Sequence, residues 1–397
     1  MPTTREEITS LALWGTPADT GATGRLAAAS NERNLRDVIQ AIGQILPDLD
    51  SHERARLRHR LGYLALLAGD VRAKAIEAFT MTRDGARLSH DRPLEGLANI
   101  GLSIAFDHVG QRRDALQCAE EAERIAEELG DQRLLALALN SQAQYYKENG
   151  ENTRAFELFK CIEATGKALN DEELQMGAII GMGRTTPMSE AFTAIGYYEQ
   201  AIDMAKARND DEALIVCTNN LADWMIIIGE LDKAIALRET CLSLSQKLQS
   251  RPGIGRALIG LAKAYTLKGD LPKARALLNK GYPVVLSSSD LEGELHSSLN
   301  LAYLHIQDGD ITRAADLYRQ VLEKSLAAPD HACAIFAQKA LELLADGQTP
   351  DPAALMPQAS FSKSPNELRD EELEGVVGGA HGQPIYPTGD VGWHVGL

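Results

Sequence analysis

The sequence has few aromatic residues, few cysteines and no long apolar run. Aromatic residues make up 5% of its 397 residues, while alanine, leucine and glutamate are abundant, and this mixture favours helix over strand. The cysteines stand far apart with no C-x-x-C pair, so we expect small buried packing residues in a reducing compartment and no metal site. They are Cys118, Cys161, Cys217, Cys241 and Cys333. Neither a secretory signal nor a run of about eighteen apolar residues occurs, which predicts a cytoplasmic protein without membrane insertion.

Positive charge is also scarce. Lysine and arginine number 40 against 56 acidic residues, a net charge of -16, which repels nucleic acid and anionic membranes and suits a neutral or basic peptide or protein partner. The nine histidines are scattered, with no H-E-x-x-H motif and no phosphate-binding loop of the G-x-x-x-x-G-K-[ST] type. The sequence therefore predicts neither an enzyme nor a bound cofactor.

What the sequence does contain is a repeat of about forty residues. Turn-forming glycines recur with gaps of 41, 40, 79, 40 and 40 residues, and the long gap spans two periods. These glycines are Gly69, Gly110, Gly150, Gly229, Gly269 and Gly309. In the repeat without a glycine, the stretch TTPMSEAF around Ser189 supplies Thr, Pro and Ser as turn residues instead.

Small and large residues alternate around each turn. A small residue lies seven positions before the turn, at Gly62, Ser103, Ala143, Ala222, Ala262 and Ala302. An alanine follows the turn, at Ala75, Ala115, Ala155, Ala194, Ala234, Ala274 and Ala314. Four residues later comes a bulky group, at Phe79, Phe159, Tyr198, Leu278 and Tyr318, with Ala119 and Arg238 as exceptions. This pattern predicts pairs of closely approaching helices in which large side chains fill the space beside small ones.

Segments such as SQAQYYKENGE and GLAKAYTLKGD, with a small residue followed by an aromatic one, resemble the tetratricopeptide repeat family. The resemblance implies an all-α fold, a right-handed α-solenoid of about seven helix-turn-helix repeats with a flexible C-terminal tail. We expect five segments: N-terminal capping helices, the solenoid, a proline-rich linker, a leader helix and a core peptide. They span residues 1–54, 55–346, 347–363, 364–379 and 380–397.

In that family the first helix of each repeat lines a concave groove, and residues ten and six positions before each turn would face it. These positions hold Asn140 with Gln144, Asn219 with Asp223, and Ile100 with Ile104, while Lys263 and Tyr303 lie further along. Side-chain amides donate and accept hydrogen bonds at once, so they could hold the backbone of an extended peptide. The alternative is that these are ordinary solvated side chains on a helix surface.

The C-terminal stretch LRDEELEGVVGG resembles the double-glycine leader of exported or modified bacterial peptides, whose pattern is LSxxELxxIxGG. The matching residues are Leu368, Glu372, Leu373, Val376, Gly378 and Gly379, and Arg369 departs from the usual Ser. The resemblance implies cleavage after Gly379 by the papain-like peptidase domain of a dedicated ABC exporter. The alternative is an acidic tail that contains Gly-Gly by composition.

The peptide released by that cleavage would be AHGQPIYPTGDVGWHVGL. It has no cysteine, and its one Ser/Thr residue is Thr388, so thioether rings cannot form within it. Tyr386, Trp393 and His394 are candidates for oxidative cross-linking, and Asp390 for closing a lactam. Gly382 and Asp390 have the spacing of some lasso rings, but the residues before Gly382 do not resemble a lasso leader, and an unmodified product also fits.

Two functions remain open from the sequence. The first is a precursor in which the solenoid binds a tailoring enzyme, an exporter or its own tail, and the C-terminal peptide is released and exported. The second is a cytosolic peptide-binding scaffold or signalling regulator with an autoinhibitory tail.

Overall fold

The computed structural model describes residues 39, 51–67, 72–287, 291–326 and 331–350. These residues form fifteen α-helices and one short 3-10 turn, and they include no strand. The helices are α1 (Ser51–Leu67), α2 (Arg72–Ser89), α3 (Arg92–His108), α4 (Arg112–Leu129), α5 (Gln132–Glu148), α6 (Asn152–Leu169), α7 (Glu172–Thr185), α8 (Ala191–Arg208), α9 (Asp211–Ile227), α10 (Leu231–Lys247), α11 (Arg251–Lys268), α12 (Leu271–Ser287), α13 (Leu291–Gln307), α14 (Ile311–Leu326) and α15 (His331–Ala345).

The chain divides into two compact units, one running to Met182 and the other starting at Gly183, within α7. In each unit successive helices pack against each other, and several odd-numbered helices also contact the next odd-numbered helix. Such contacts join α1 to α3 and α3 to α5 in the first unit, and link α9, α11, α13 and α15 in series in the second. We call these odd-numbered helices the first-helix layer. The predicted all-α arrangement of stacked helix pairs is confirmed.

The predicted turn glycines adopt the left-handed backbone that favours glycine. Their φ angles are 76° at Gly110, 78° at Gly150, 82° at Gly229, 85° at Gly269 and 80° at Gly309. Gly69 lies outside the described residues. Each of these five glycines therefore ends the first helix of a pair and lets the chain reverse into the second.

A second series of turns, between one pair and the next, was missed at the sequence level. The left-handed residues there are His90, Gly130, Asn170, Asn209 and Gln249. The residue after each is a helix N-cap whose side chain accepts a hydrogen bond from a backbone N–H of the next helix, as Asp131 does from Leu134 and Asp210 from Ala213. Asn or Gly followed by Asp, at residues 130–131, 170–171 and 209–210, was the signal that would have identified three of these five turns.

The fourth repeat has the expected unusual turn. Pro187 is extended and precedes a 3-10 turn over Met188–Glu190, which leads into α8. A Cβ added to Gly183 would lie 2.9 Å from the Tyr198 ring, so Gly183 and Tyr198 are the small and large partners of this repeat. With this pairing, the turn of the fourth repeat is one residue shorter than the other turns. The shorter turn accounts for the gap of 79 residues, which is one fewer than two periods of forty.

The small and large residues interlock as predicted. The Phe79 ring of α2 is fully buried against two glycines, and an added Cβ would lie 2.6 Å from it at Gly62 of α1 and 2.4 Å from it at Gly101 of α3. Phe159 of α6 faces Gly181 in the same way, at 2.4 Å. The predicted close-approach alanines are all buried, with exposed fractions of 2% or less. Rings of this size fit because the facing helix has no side chain there.

One packing prediction was wrong. Four of the five cysteines are buried, but Cys161 is exposed. It lies on α6 two residues after Phe159, and a helix turns by about 200° over two residues, so the ring points into the stack and the thiol away from it. Periodicity, rather than residue type, places this side chain.

Candidate functional site

The predicted groove positions Asn140 and Gln144 of α5 lie in one open cleft with Ile100 and Ile104 of α3. The cleft lies within the first unit and is open to solvent. Its lining consists of Ile100, Ser103, Ile104, Asp107, Ala115, Leu137, Asn140, Ser141, Gln144 and Tyr145. Because residues forty positions apart come from successive first helices, the stacking of α3 on α5 brings these four positions together.

The cleft has an apolar wall and a polar wall. Ile100 and Ile104 are buried, whereas Asn140 and Gln144 are half-buried. The side-chain amides of Asn140 and Gln144 make no hydrogen bond with any residue that the structure describes. By contrast, Asn99 and Asn220 donate to backbone carbonyls one turn back in their own helices. The two cleft amides are therefore available to a ligand.

In the second unit, three of the predicted groove residues meet around one buried arginine. Arg238 of α10 donates from Nη1 to Asn219 Oδ1 and from Nη2 to Asp223 Oδ1, the latter over 2.6 Å. Lys263 of α11 adds a longer ion pair, 3.9 Å from its Nζ to Asp223 Oδ1. We call Asn219, Asp223, Arg238 and Lys263 the charged cluster.

Arg238 occupies the place that a bulky apolar side chain occupies in the other repeats. It appeared to be an exception in the sequence, but the structure shows that it fills the equivalent space with a guanidinium. A Cβ added to Gly260 of α11 would lie 2.6 Å from Arg238 Nε, so a larger residue at this position would displace the guanidinium end of the arginine. Its side chain reaches from α10 to the first-helix layer, and the residue is 4% exposed.

The charged cluster keeps Asp223 ionised. Burial by itself would raise the pKa of Asp223, but Arg238 first, then Lys263 and His296, outweigh it and hold that pKa below its ordinary value. One carboxylate against two cations leaves the cluster with a net positive charge inside an acidic protein. Sequence reasoning found Asn219, Asp223 and Lys263 from their register but missed Arg238, because nothing in the sequence shows where its side chain ends.

Tyr303 does not belong to this cluster. It is half-buried on α13, near enough to Tyr318 of α14 to add to the effect of burial in raising the pKa of that phenol. The contacts of the charged cluster do not include it. Tyr303 thus shares a register position with Lys263 and Asp223 without sharing their site.

The predicted tail sites lie outside the described residues. They are the leader positions Leu368, Glu372, Leu373, Val376, Gly378 and Gly379, and the core positions Tyr386, Thr388, Asp390, Trp393 and His394. Among the described residues, nowhere do three His, Cys, Asp or Glu side chains gather closely enough to hold a metal ion. Within the same part of the chain, no helix has both the length and the apolar character needed to cross a bilayer.

Residues 214–287, which contain the whole charged cluster, match the family model of the tetratricopeptide repeat. Both units are tetratricopeptide-like solenoid segments. The helix pairs, the turn glycines and the interlocking small and large residues all agree with this assignment.

A curated relative has the same kind of repeat. Tetratricopeptide repeat protein 29 of Trypanosoma brucei brucei is 26% identical over 231 residues, which is 54% of this chain and 46% of the relative. The chain thus spans about half the length of the curated relative that it matches.

Several solved structures share the fold at low identity. The apo quorum sensor NprR from B. thuringiensis superposes with a TM-score of 0.57 at 15% identity, covering 77% of this chain and 86% of that one. Aspartyl phosphate phosphatase F from Bacillus subtilis gives 0.54 at 15% identity, covering 72% and 75%. A Rap protein complexed with Competence and Sporulation Factor gives 0.50 at 12% identity, covering 80% and 99%. At these identities the likeness establishes the fold alone.

Proposed function

We propose that this chain is a cytoplasmic peptide-binding scaffold or signalling regulator, and that the α3–α5 cleft holds part of an extended peptide. The observation that carries the proposal is the cleft itself, where the unpaired amides of Asn140 and Gln144 face Ile100 and Ile104. The fold shared with a quorum sensor and with a Rap protein solved in complex with Competence and Sporulation Factor supports a regulatory role.

The two walls of the cleft suit the two parts of a peptide. An extended chain carries N–H and C=O groups along its edge, and amide side chains can pair with both. Its apolar side chains can pack on Ile100 and Ile104 and gain the free energy of leaving water. Because the protein carries a net charge of -16, a neutral or basic peptide would approach it faster than an acidic one.

A display selection tests the proposal. The full chain is panned against a library of random dodecapeptides, and the enriched sequences are synthesised and titrated by fluorescence anisotropy. Replacing both cleft amides, Asn140→Ala with Gln144→Ala, should weaken binding by about tenfold, the effect of losing one or two good hydrogen bonds. The matched control is Gln132→Ala, an exposed amide at the start of the same helix, which should leave affinity unchanged.

Two results would refute the proposal. One is a selection that enriches no peptide over an unrelated bait. The other is enriched peptides that bind the cleft variant as tightly as the wild type, which would place their site elsewhere on the protein.

A second function is favoured by one specific observation, the spacing of six leader-like residues from Leu368 to Gly379. We propose as this alternative that the chain is a precursor whose tail is cut after Gly379, with the repeats recruiting a tailoring enzyme or an exporter. The solenoid would then hold the tail at the high effective concentration that a tether provides.

Intact-mass analysis distinguishes this alternative. Producing cells and their medium should contain the peptide AHGQPIYPTGDVGWHVGL, with or without a mass shift, and its appearance should stop with Gly378→Ala plus Gly379→Ala. If the full-length chain without a mass shift is the sole product, the precursor alternative is ruled out. The peptide-binding function then stays as the proposal, with the tail as a competing occupant of the cleft.

A further inference from the structure

We propose that Arg238 is a positioning residue, which sets Asn219 and Asp223 of the first-helix layer as a matched donor and acceptor for the backbone of an extended peptide. The inference rests on the peptide-binding function proposed above and assigns a second contact region, in the second unit.

Stability alone does not account for an arginine at this position. Equivalent positions in other repeats hold fully buried apolar or aromatic groups such as Phe79, Phe159 and Leu278. A buried charge must lose its hydration, and replacing buried ion pairs with packed apolar groups is often neutral or stabilising. Arg238 also packs directly on Gly260, and a glycine at that position lowers the helix propensity of α11. The arrangement costs stability and provides specific geometry instead.

The guanidinium fixes two side chains with its rigid fork. One nitrogen donates to Asn219 Oδ1 and another to Asp223 Oδ1. Because Asn219 Oδ1 accepts from the guanidinium, the Nδ2 group of Asn219 must point away from Arg238. The planar guanidinium holds both Asn219 and Asp223, whereas a lysine ammonium could hold only one of them. Asn219 and Asp223 are four residues apart and so lie on the same face of α9.

This leaves one free donor and one free acceptor side by side. Among the described residues, Asn219 Nδ2 donates to no partner and Asp223 Oδ2 accepts from none. In an extended strand, the N–H and C=O groups of one residue point to the same side. A pair of this kind can engage both groups of one peptide residue, whatever its side chain. Lys263, about a quarter exposed, stands beside the pair.

The first measurement needs no ligand. Side-chain ¹⁵N relaxation of the Asn219 amide should give a clearly higher order parameter in the full-length wild type than in Arg238→Lys, which keeps the charge but not the fork. A second variant, Arg238→Leu with Asp223→Asn, removes the arginine without leaving a buried charge alone. Both variants should melt within a few degrees of the wild type, which separates positioning from folding.

The second measurement uses a dodecapeptide from the same display selection repeated on the Asn140→Ala, Gln144→Ala variant, so that the probe does not depend on the cleft of the first unit. Its dissociation constant should rise about tenfold in Arg238→Lys. Asn219→Ala should weaken binding similarly, and so should Asp223→Asn. Arg238→Lys should weaken binding no further in the Asn219→Ala, Asp223→Asn background, because the arginine acts through these two residues.

An Asn219 amide that stays rigid in Arg238→Lys overturns the inference, whether or not a peptide is found. The inference is also overturned if the Asn219 amide becomes mobile in Arg238→Lys but the affinity for the dodecapeptide does not change. If the selection yields no peptide while the amide becomes mobile in the variant, the proposed function fails and the positioning role of Arg238 stands.

Discussion

The packing of Phe79 allows one substitution to be predicted in detail. Gly101→Ala places a methyl group 2.4 Å from the Phe79 ring, and the ring cannot retreat because Gly62 of α1 holds it from the other helix. Overpacking of a fully buried site costs up to about 3 kcal/mol. Alanine regains about 1 kcal/mol in helix propensity. We therefore expect a net loss of about 2 kcal/mol in the local stability of α1–α3.

Native-state hydrogen exchange is the appropriate assay, since stacked repeats unfold in parts rather than all at once. A loss of about 2 kcal/mol corresponds to exchange about thirtyfold faster for the protected amides of α1–α3. Adding Phe79→Leu should restore part of the protection, because Leu278 fills the same position in another repeat.

Substitutions at two other glycines serve as controls, because they should raise the stability of the protein rather than lower it. A Cβ at Gly85 of α2 meets only Ala55, at 3.9 Å, and one at Gly196 of α8 meets nothing within 4 Å. Gly85→Ala and Gly196→Ala should each stabilise their helices by about 0.5 to 1 kcal/mol. If Gly101→Ala slowed exchange as these two do, the tight fit of the ring between two helices would be refuted.

Two further predictions concern other buried positions. Burial, together with neighbouring Arg60, lowers the pKa of His59 to about 4, below its unfolded value of about 6.5. The unfolded chain therefore binds the proton more readily than the folded chain. As a result, the free energy of unfolding is highest above pH of about 6.5 and falls as the pH drops towards 4. At pH of about 5 it should be lower by about 2 kcal/mol. Urea unfolding above pH of about 6.5 and at pH of about 5 should show this loss for the wild type and not for His59→Phe. Equal losses in the two proteins would rule out His59 as the source. Ala274→Leu should cost about 1–3 kcal/mol by overpacking between α11 and α12, and an unchanged melting curve would contradict the assigned register.

The repeat architecture could be predicted from the sequence because the residues that produce it lie close together in the chain and recur from repeat to repeat. Turn glycines every forty residues, a small residue before each turn and a large one after it are enough to predict stacked helix pairs, and the φ angles and the Phe79 packing bear them out. The turns at Asn170 and Asn209 were overlooked although their signal, Asn followed by an N-capping Asp, is equally local.

Register predicted the four residues that form the two walls of the α3–α5 cleft, but it did not give the full composition of the charged cluster. Register alone placed Asn219, Asp223 and Lys263 on facing helices, but only the packed structure shows a side chain from α10 passing Gly260 to join them. The α3–α5 cleft likewise depends on two helices coming into contact across forty residues of chain. Sequence periodicity specifies which face of a helix a residue occupies; where a long side chain ends, and what it meets there, depends on the space that neighbouring helices leave.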